Sequence, residues 1–225
     1  MIVNPSNAVD RIIYLYGSYD DLEVDWLMQN VEPEDECIFY DIGSNIGVYT
    51  ISLCQRLPLL KAEAFEPDKR NFSYLQMNSV INGLEGRVNL HEKAVASENG
   101  KLAFIDERSS HSINTGKSRL AGSADLEKNT RSVDVVSIDD FLPEKGKTIM
   151  IKIDVEGFEL DVLKGLRETL LENTCFLAIE IFEQQYAKCE EFLGSLGYSK
   201  QKQFSHADFG FCKCKDKVGK SKLPV

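Results

Sequence analysis

Phe39-Tyr40-Asp41-Ile42-Gly43-Ser44-Asn45-Ile46-Gly47 is the stretch on which the fold turns. Cys37-Ile38-Phe39-Tyr40 reads as a short buried strand ending at Asp41, and Ile46 to Leu57 reads as a helix stopped by Pro58. Two glycines where a strand becomes a helix let a ligand approach backbone N–H groups with no Cβ in the way. The unit is therefore the opening of a βα repeat with a small-molecule site at its turn.

Working outward, the same alternation continues. Lys61 to Phe65 reads as a second strand, broken by Pro67, and Asn71 to Ile81 as a helix ended by Asn82-Gly83. Val88 to Val95 is expected to be a third strand, and Leu102 to Ile105 and Val133 to Val136 are short strands around a long polar segment. Ser137 with Asp140 three residues later fits a capped start for a helix over Ile138 to Leu142. Thr148 to Ile153 is a strand whose apolar run is interrupted only by Lys152. Phe158, Val162, Leu163, Leu166 and Leu170 stripe one helical face, Cys175 to Phe182 forms the fifth main strand, and Gln184 to Leu196 a further helix. Tyr198 to Phe204 and Phe209 to Cys214 form a closing hairpin. The sum is an α/β chain, a three-layer α/β/α sandwich with a mostly parallel Rossmann-like sheet and an antiparallel closing strand.

The 225 residues, 43% hydrophobic and 28% charged, suit a single folded domain. That domain is expected over residues 1–212, with 106–132 as an acceptor-binding or lid loop and 213–225 as a basic tail. The net charge of -10 repels phosphate backbones and anionic lipid, so no nucleic acid is expected among the partners. No stretch has the length and apolarity of a membrane span, and the first residues lack a basic region followed by an apolar core, so the expected location is the cytoplasm. Four of the six cysteines lie inside apolar runs and read as reduced core thiols, and no metal is expected.

A dinucleotide turn would read G-x-G-x-x-G, whereas Asn45 and Val48 follow Gly43 at the other two glycine positions. The second anchor is Glu66, at the end of the next strand, where a carboxylate can accept both hydroxyls of a ribose.

Asp41-x-Gly-x-Asn-x-Gly with Glu66 resembles the S-adenosylmethionine site of class I methyltransferases. Adding Ala64-Phe65-Glu66-Pro67 and Ile151-Lys152-Ile153-Asp154-Val155-Glu156-Gly157-Phe158-Glu159 makes the chain similar to the FkbM-type methyltransferases over roughly residues 14 to 200. The resemblance implies a class I fold and methyl transfer from S-adenosylmethionine to a small-molecule acceptor, at a hydroxyl of a sugar, lipid or polyketide-like compound. It would place Gly43, Asn45 and Gly47 along the methionine part of the cofactor, Asp41 at its amino group and Glu66 at its ribose. A side chain at Gly43 is expected to block the cofactor's approach. Ala94 would border the adenine, although Lys93 stands before it where many class I enzymes have an Asp. Tyr19, with Tyr16, would cover the cofactor as a lid or simply pack the N-terminal segment.

Methyl transfer is an in-line displacement, so positioning does much of the work and a base removes the acceptor's proton. Asp154, Glu156 and Glu180 stand at or near the carboxyl ends of strands and are the candidate catalytic acids, with His111 of the polar loop as a candidate acceptor contact. Two other readings stand beside this one: a nicotinamide-dependent oxidoreductase on a similar fold, and a non-catalytic module that binds a partner through the 106–132 loop.

Overall fold

The computed structural model describes residues 1–3, 11, 15, 21–105, 119–120 and 130–213. Tyr16, Tyr19, His111, most of the 106–132 loop and nearly all of the basic tail lie outside the described residues. The elements, in chain order, are α1 (Asp21–Met28), β1 (Cys37–Ile42), α2 (Val48–Arg56), β2 (Lys61–Phe65), α3 (Lys69–Ile81), β3 (Val88–His91), β4 (Ala94–Val95), β5 (Gly100–Ile105), β6 (Arg119–Leu120) and β7 (Thr130–Val136). They continue as α4 (Ile138–Phe141), β8 (Thr148–Ile153), α5 (Glu159–Lys164), α6 (Arg167–Glu172), β9 (Thr174–Glu180), α7 (Glu183–Ser195), β10 (Tyr198–Gln203) and β11 (Asp208–Lys213).

A seven-stranded sheet runs in the order β10-β11-β9-β8-β1-β2-β3, with β3, β2, β1, β8 and β9 parallel. β11 lies antiparallel to both of its neighbours, β9 and β10. The order reverses between β1 and β8, so the carboxyl ends of these two strands flank the crevice in which open α/β sheets bind ligands.

Alternation along the strands builds the layers. Ile149, Ile151 and Ile153 of β8 face one side with Leu177 and Ile179, packed on Val162, Leu163, Leu166 and Leu170 from α5, α6 and the turn between them and on Leu193 of α7. Met150 faces the other side with Phe39, Phe176 and Ala178, under Leu27 of α1, Leu53 of α2 and Leu75 of α3. The central strands read as near-continuous apolar runs because both faces are covered.

Four features differ from the sequence reading. The single strand expected over Val88 to Val95 is two. Glu92-Lys93 cannot continue a buried run, and β4 leaves the main sheet to pair with β7 in a four-stranded sheet of order β4-β7-β5-β6. The stripe from Phe158 to Leu170 is two short helices. They part around Gly165, where a Cβ would stand 2.1 Å from the Ala96 carbonyl oxygen, so only glycine permits the approach. Ser137 precedes α4, but its hydroxyl donates to the Gly165 carbonyl instead of capping the helix. Helix α1 was not foreseen; its Trp26 lies flat against Gly210 of β11, with ring atoms 3.0–3.2 Å from where a Cβ would be, and edge-on to Phe204.

Candidate active site

The glycine turn uses its own N–H groups. Gly43 and Ser44 both donate to the Phe65 carbonyl at 3.0 Å, Gly47 donates to the Ser44 carbonyl at 2.8 Å, and Asn45 donates to Glu66 Oε2 at 2.8 Å. An anion nest needs such donors free. This turn is instead stitched to the end of β2, with carboxylates around it, and is chemically unsuited to a pyrophosphate.

The two glycines are required by the protein itself. Gly43 has φ +85°, and a Cβ there would stand 1.8 Å from the Asp154 carbonyl oxygen. The expected clash with a cofactor is thus preceded by a clash with the end of β8. Gly47, φ +91°, would bring a Cβ to 2.6 Å from Leu75 Cδ1. Asn45 takes a left-handed conformation without being glycine, φ 51°, and its buried Oδ1 has no hydrogen-bond partner among the described residues.

Helix α2 has no side-chain cap of its own at Gly47. Asp41 supplies one from β1: its Oδ2 accepts from the Thr50 N–H at 3.1 Å and from the Thr50 hydroxyl. Burial raises the Asp41 carboxyl to about 6 against these hydrogen bonds. Asp41, expected at a cofactor amino group, therefore first anchors α2.

Glu66 is buried just beyond β2. Its Oε1 accepts from the Asp68 N–H at 2.7 Å and its Oε2 from Asn45, so one carboxylate ties together the two loops after β1 and β2. Each oxygen has a second lone pair for a further donor. Burial pushes Glu66 up to about 8, against the two N–H groups that favour its charge. The adjoining loop is held from the small sheet by Arg131, which donates to the Pro67 carbonyl at 2.6 Å and stands 3.7 Å from Asp68 Oδ2.

Asp154 and Glu180 meet at the carboxyl ends of β8 and β9. Burial, then the neighbouring Asp154 charge, push Glu180 up to about 9, and the two side chains share a hydrogen bond. Beneath them lies Lys152, 2% exposed, its ammonium 3.7 Å from Asp208 Oδ1 and 5.1 Å over the Tyr49 ring. Glu156 is half-buried with φ 53°, a strained conformation in the turn before Gly157. That turn is clamped on both sides of Gly157. Glu159 Oε1 accepts its N–H at 2.6 Å, and Gln185 donates to its carbonyl at 2.9 Å. Burial raises the Glu159 carboxyl, whose Oε2 has no hydrogen-bond partner among the described residues.

Asp41, Gly43, Asn45, Gly47 and Glu66 thus gather at one turn, with Asp154, Glu156 and Glu180 at the neighbouring strand ends. Ala94 is buried in the core of the small sheet with Phe104, Val133 and Val135. His91 Nε2 pairs with Glu63 at 2.7 Å and its ring stacks on Phe65, a structural role, while His206 is exposed in the β10–β11 turn. Lys152, Glu159 and Gln185 were not among the expected site residues. Lys152 carried a signal, a lone charge in an apolar strand, whereas Gln185 carried none.

A family model described as Methyltransferase FkbM domain matches residues 41–207. Hexuronic acid methyltransferase AglP of Haloferax volcanii is 28% identical over 177 residues, covering 76% of this chain and 65% of that protein. The 2-O-methyltransferase NoeI of Sinorhizobium fredii is 30% identical over 173 residues, covering 71% of this chain and 67% of the relative. Among solved structures, the methyltransferase FkbM from Methylobacillus flagellatus superposes with a TM-score of 0.55 at 19% identity, over 90% of this chain and 59% of that one, a likeness of fold. The chain thus spans about two thirds or less of the length of these proteins.

Proposed function

Since this chain belongs to the FkbM methyltransferase family, we propose that it transfers a methyl group from S-adenosylmethionine to a hydroxyl oxygen of a small acceptor, of sugar, lipid or polyketide-like character. The observation that carries the cofactor assignment is Glu66, a buried carboxylate joined to the glycine turn through Asn45 with acceptor capacity left on both oxygens. The acceptors present suit the molecule. Glu66 would accept from the two ribose hydroxyls, and Asn45 Oδ1, without a hydrogen-bond partner among the described residues, together with the remaining Asp41 oxygen would accept from the ammonium of the methionine part. A pyrophosphate would meet carboxylates and committed N–H groups instead, which argues against the nicotinamide reading.

The bound cofactor would supply a methyl group made electrophilic by its sulfonium. Asp154 takes the acceptor's hydroxyl proton as the new oxygen–methyl bond forms, the pair from the broken carbon–sulfur bond staying on sulfur. Glu180, protonated at neutral pH by its raised pKa, donates its hydrogen bond to Asp154 and orients it. Clamped from α5 and α7, the Glu156 turn borders this pair as a further acceptor contact. Relatives named for 2-O-methylation and for a hexuronic acid support a hydroxyl of a sugar-type acceptor.

Calorimetry with S-adenosylmethionine and with NAD, followed by S-adenosylhomocysteine formation with glucuronide and hexose glycosides as acceptors, tests the proposal. Micromolar binding of S-adenosylmethionine alone, with turnover on one acceptor class, is expected. Binding of NAD in preference to S-adenosylmethionine overturns it, and binding of neither supports the non-catalytic reading.

A further inference from the structure

A lysine in the middle of a seven-stranded sheet needs a reason. Desolvating an ammonium is unfavourable by several kcal/mol unless charge and hydrogen bonds compensate, and an apolar residue would pack β8 without that penalty. Lys152 sits in register with Asp41 of β1 and Ala178 of β9, so its side chain rises on the face that carries Met150 and under the carboxyl ends of the strands. The groups around it come from every packed element. They are Asp41 of β1, the Tyr49 ring of α2, Glu180 of β9 and Asp208 of β11, with Asp154 two residues along the chain just beyond β8 and its charge felt by Glu159 of α5. One cation therefore serves several carboxylates. Its charge acts on both Asp41 and Glu180, favouring their ionised forms against burial. Asp208, in turn, is held by the Ser205 hydroxyl on Oδ2, which leaves Oδ1 toward Lys152.

We propose that Lys152 is a positioning residue for methyl transfer: its buried ammonium, paired with Asp208 beneath the carboxyl ends of β8 and β9, supplies the positive charge against which Glu180 is held beside Asp154. Without the cation Glu180 holds its proton to still higher pH, and the carboxylates at the strand ends lose the charge that balances them. Asp208 tunes the effect from the rim, since its negative charge offsets part of the ammonium's. This inference rests on the reading of Asp154 as the base, but its central claim is about the charge acting on Glu180 and is measurable without an acceptor.

The test is a carbon-13 NMR pH titration of carboxyl carbons in the full chain, labelled at Glu and Asp, with the Glu180 signal assigned by its loss in Glu180→Gln. In the wild type Glu180 should titrate above neutral pH. Lys152→Gln should raise its midpoint by at least one pH unit, whereas Asp208→Asn, at a partly exposed position, should lower it by about half a unit. Lys152→Arg, which keeps the charge, should leave the midpoint near that of the wild type. An unmoved midpoint in Lys152→Gln overturns the proposal, and if that variant does not fold, an unmoved or raised midpoint in Asp208→Asn does so. Once an acceptor is turned over, Lys152→Gln should lower kcat at least tenfold, with KM for S-adenosylmethionine changed less than threefold and the acid limb of the pH profile moved upward. A lysine whose charge does not reach Glu180 would move none of these midpoints, and one that only supports the fold would leave kcat and the pH profile of the folded variant unchanged. If Asp154→Asn transfers methyl as fast as the wild type while the midpoints move as stated, the base assignment fails and the charge cluster stands.

Discussion

Removing the carboxylate of Glu66 perturbs two things that can be measured separately. In Glu66→Ala the Asn45 and Asp68 N–H groups, now bonded at 2.8 and 2.7 Å, lose their acceptor. A stranded buried donor is worth roughly 1–3 kcal/mol, and part of this is returned by removing a buried acid, so a stability loss of about 2 kcal/mol is expected. The second effect is on the cofactor. Two ribose hydroxyls losing a charged acceptor should weaken binding by about 1–3 kcal/mol, roughly 5- to 150-fold. Urea denaturation gives the first number and calorimetry with S-adenosylmethionine the second, on protein shown to be folded. A pH series adds an independent arm. Glu66 titrates at about 8 in the free protein, and hydroxyl donors prefer its ionised form. Affinity should therefore rise as pH increases from 6 toward 9, by up to about tenfold per unit below the pKa, and Glu66→Gln should flatten that rise. A folded Glu66→Ala protein that binds S-adenosylmethionine as tightly as the wild type refutes the ribose assignment.

Gly43→Ala should fail to fold or lose several kcal/mol, about 3 or more, because its Cβ would stand 1.8 Å from the Asp154 carbonyl oxygen; denaturation of the apo protein checks this with no cofactor present. Asp154→Asn should keep the fold and the cofactor affinity but lower methyl transfer roughly 100-fold, measured as S-adenosylhomocysteine formed. Glu180, raised from 4.5 to about 9, makes the folded state bind more protons than the unfolded one across that window. Its contribution to stability is thus complete below pH 4.5 and is lost as pH rises through about 9, with a slope of up to about 1.4 kcal/mol per pH unit that Glu180→Gln should remove in urea titrations.

Much of this molecule was legible in advance. Lys61–Phe65 and Thr148–Ile153 are strands at their expected bounds, because short runs with buried alternate positions between clear breakers have few alternative readings. The turn and Glu66 came together as expected, since strand-to-helix glycines and a strand-end acid are local signals. What was missed depends on distant pairing. No local pattern says that Ala94-Val95 will leave its strand to pair with Val135-Val136, or that Gly165 must be small because Ala96 approaches it. Asp41 shows the same limit at the site: Thr50 lies one helical turn beyond the glycines, and only the folded turn brings its N–H back to the strand carboxylate.

The packing of Trp26 on Gly210 bears on how the chain reaches its final form. The two residues are nearly the whole chain apart, and Trp26 is the single tryptophan of the sequence. β11 must insert between β9 and β10 before the indole has a surface to lie on, and closing so long a loop carries a large entropic penalty until that pairing exists. Tryptophan fluorescence is therefore a built-in reporter of the last step of assembly. In refolding experiments the backbone signal of the central parallel strands should appear first, with the indole's change in emission trailing as the N-terminal helix docks on the completed sheet.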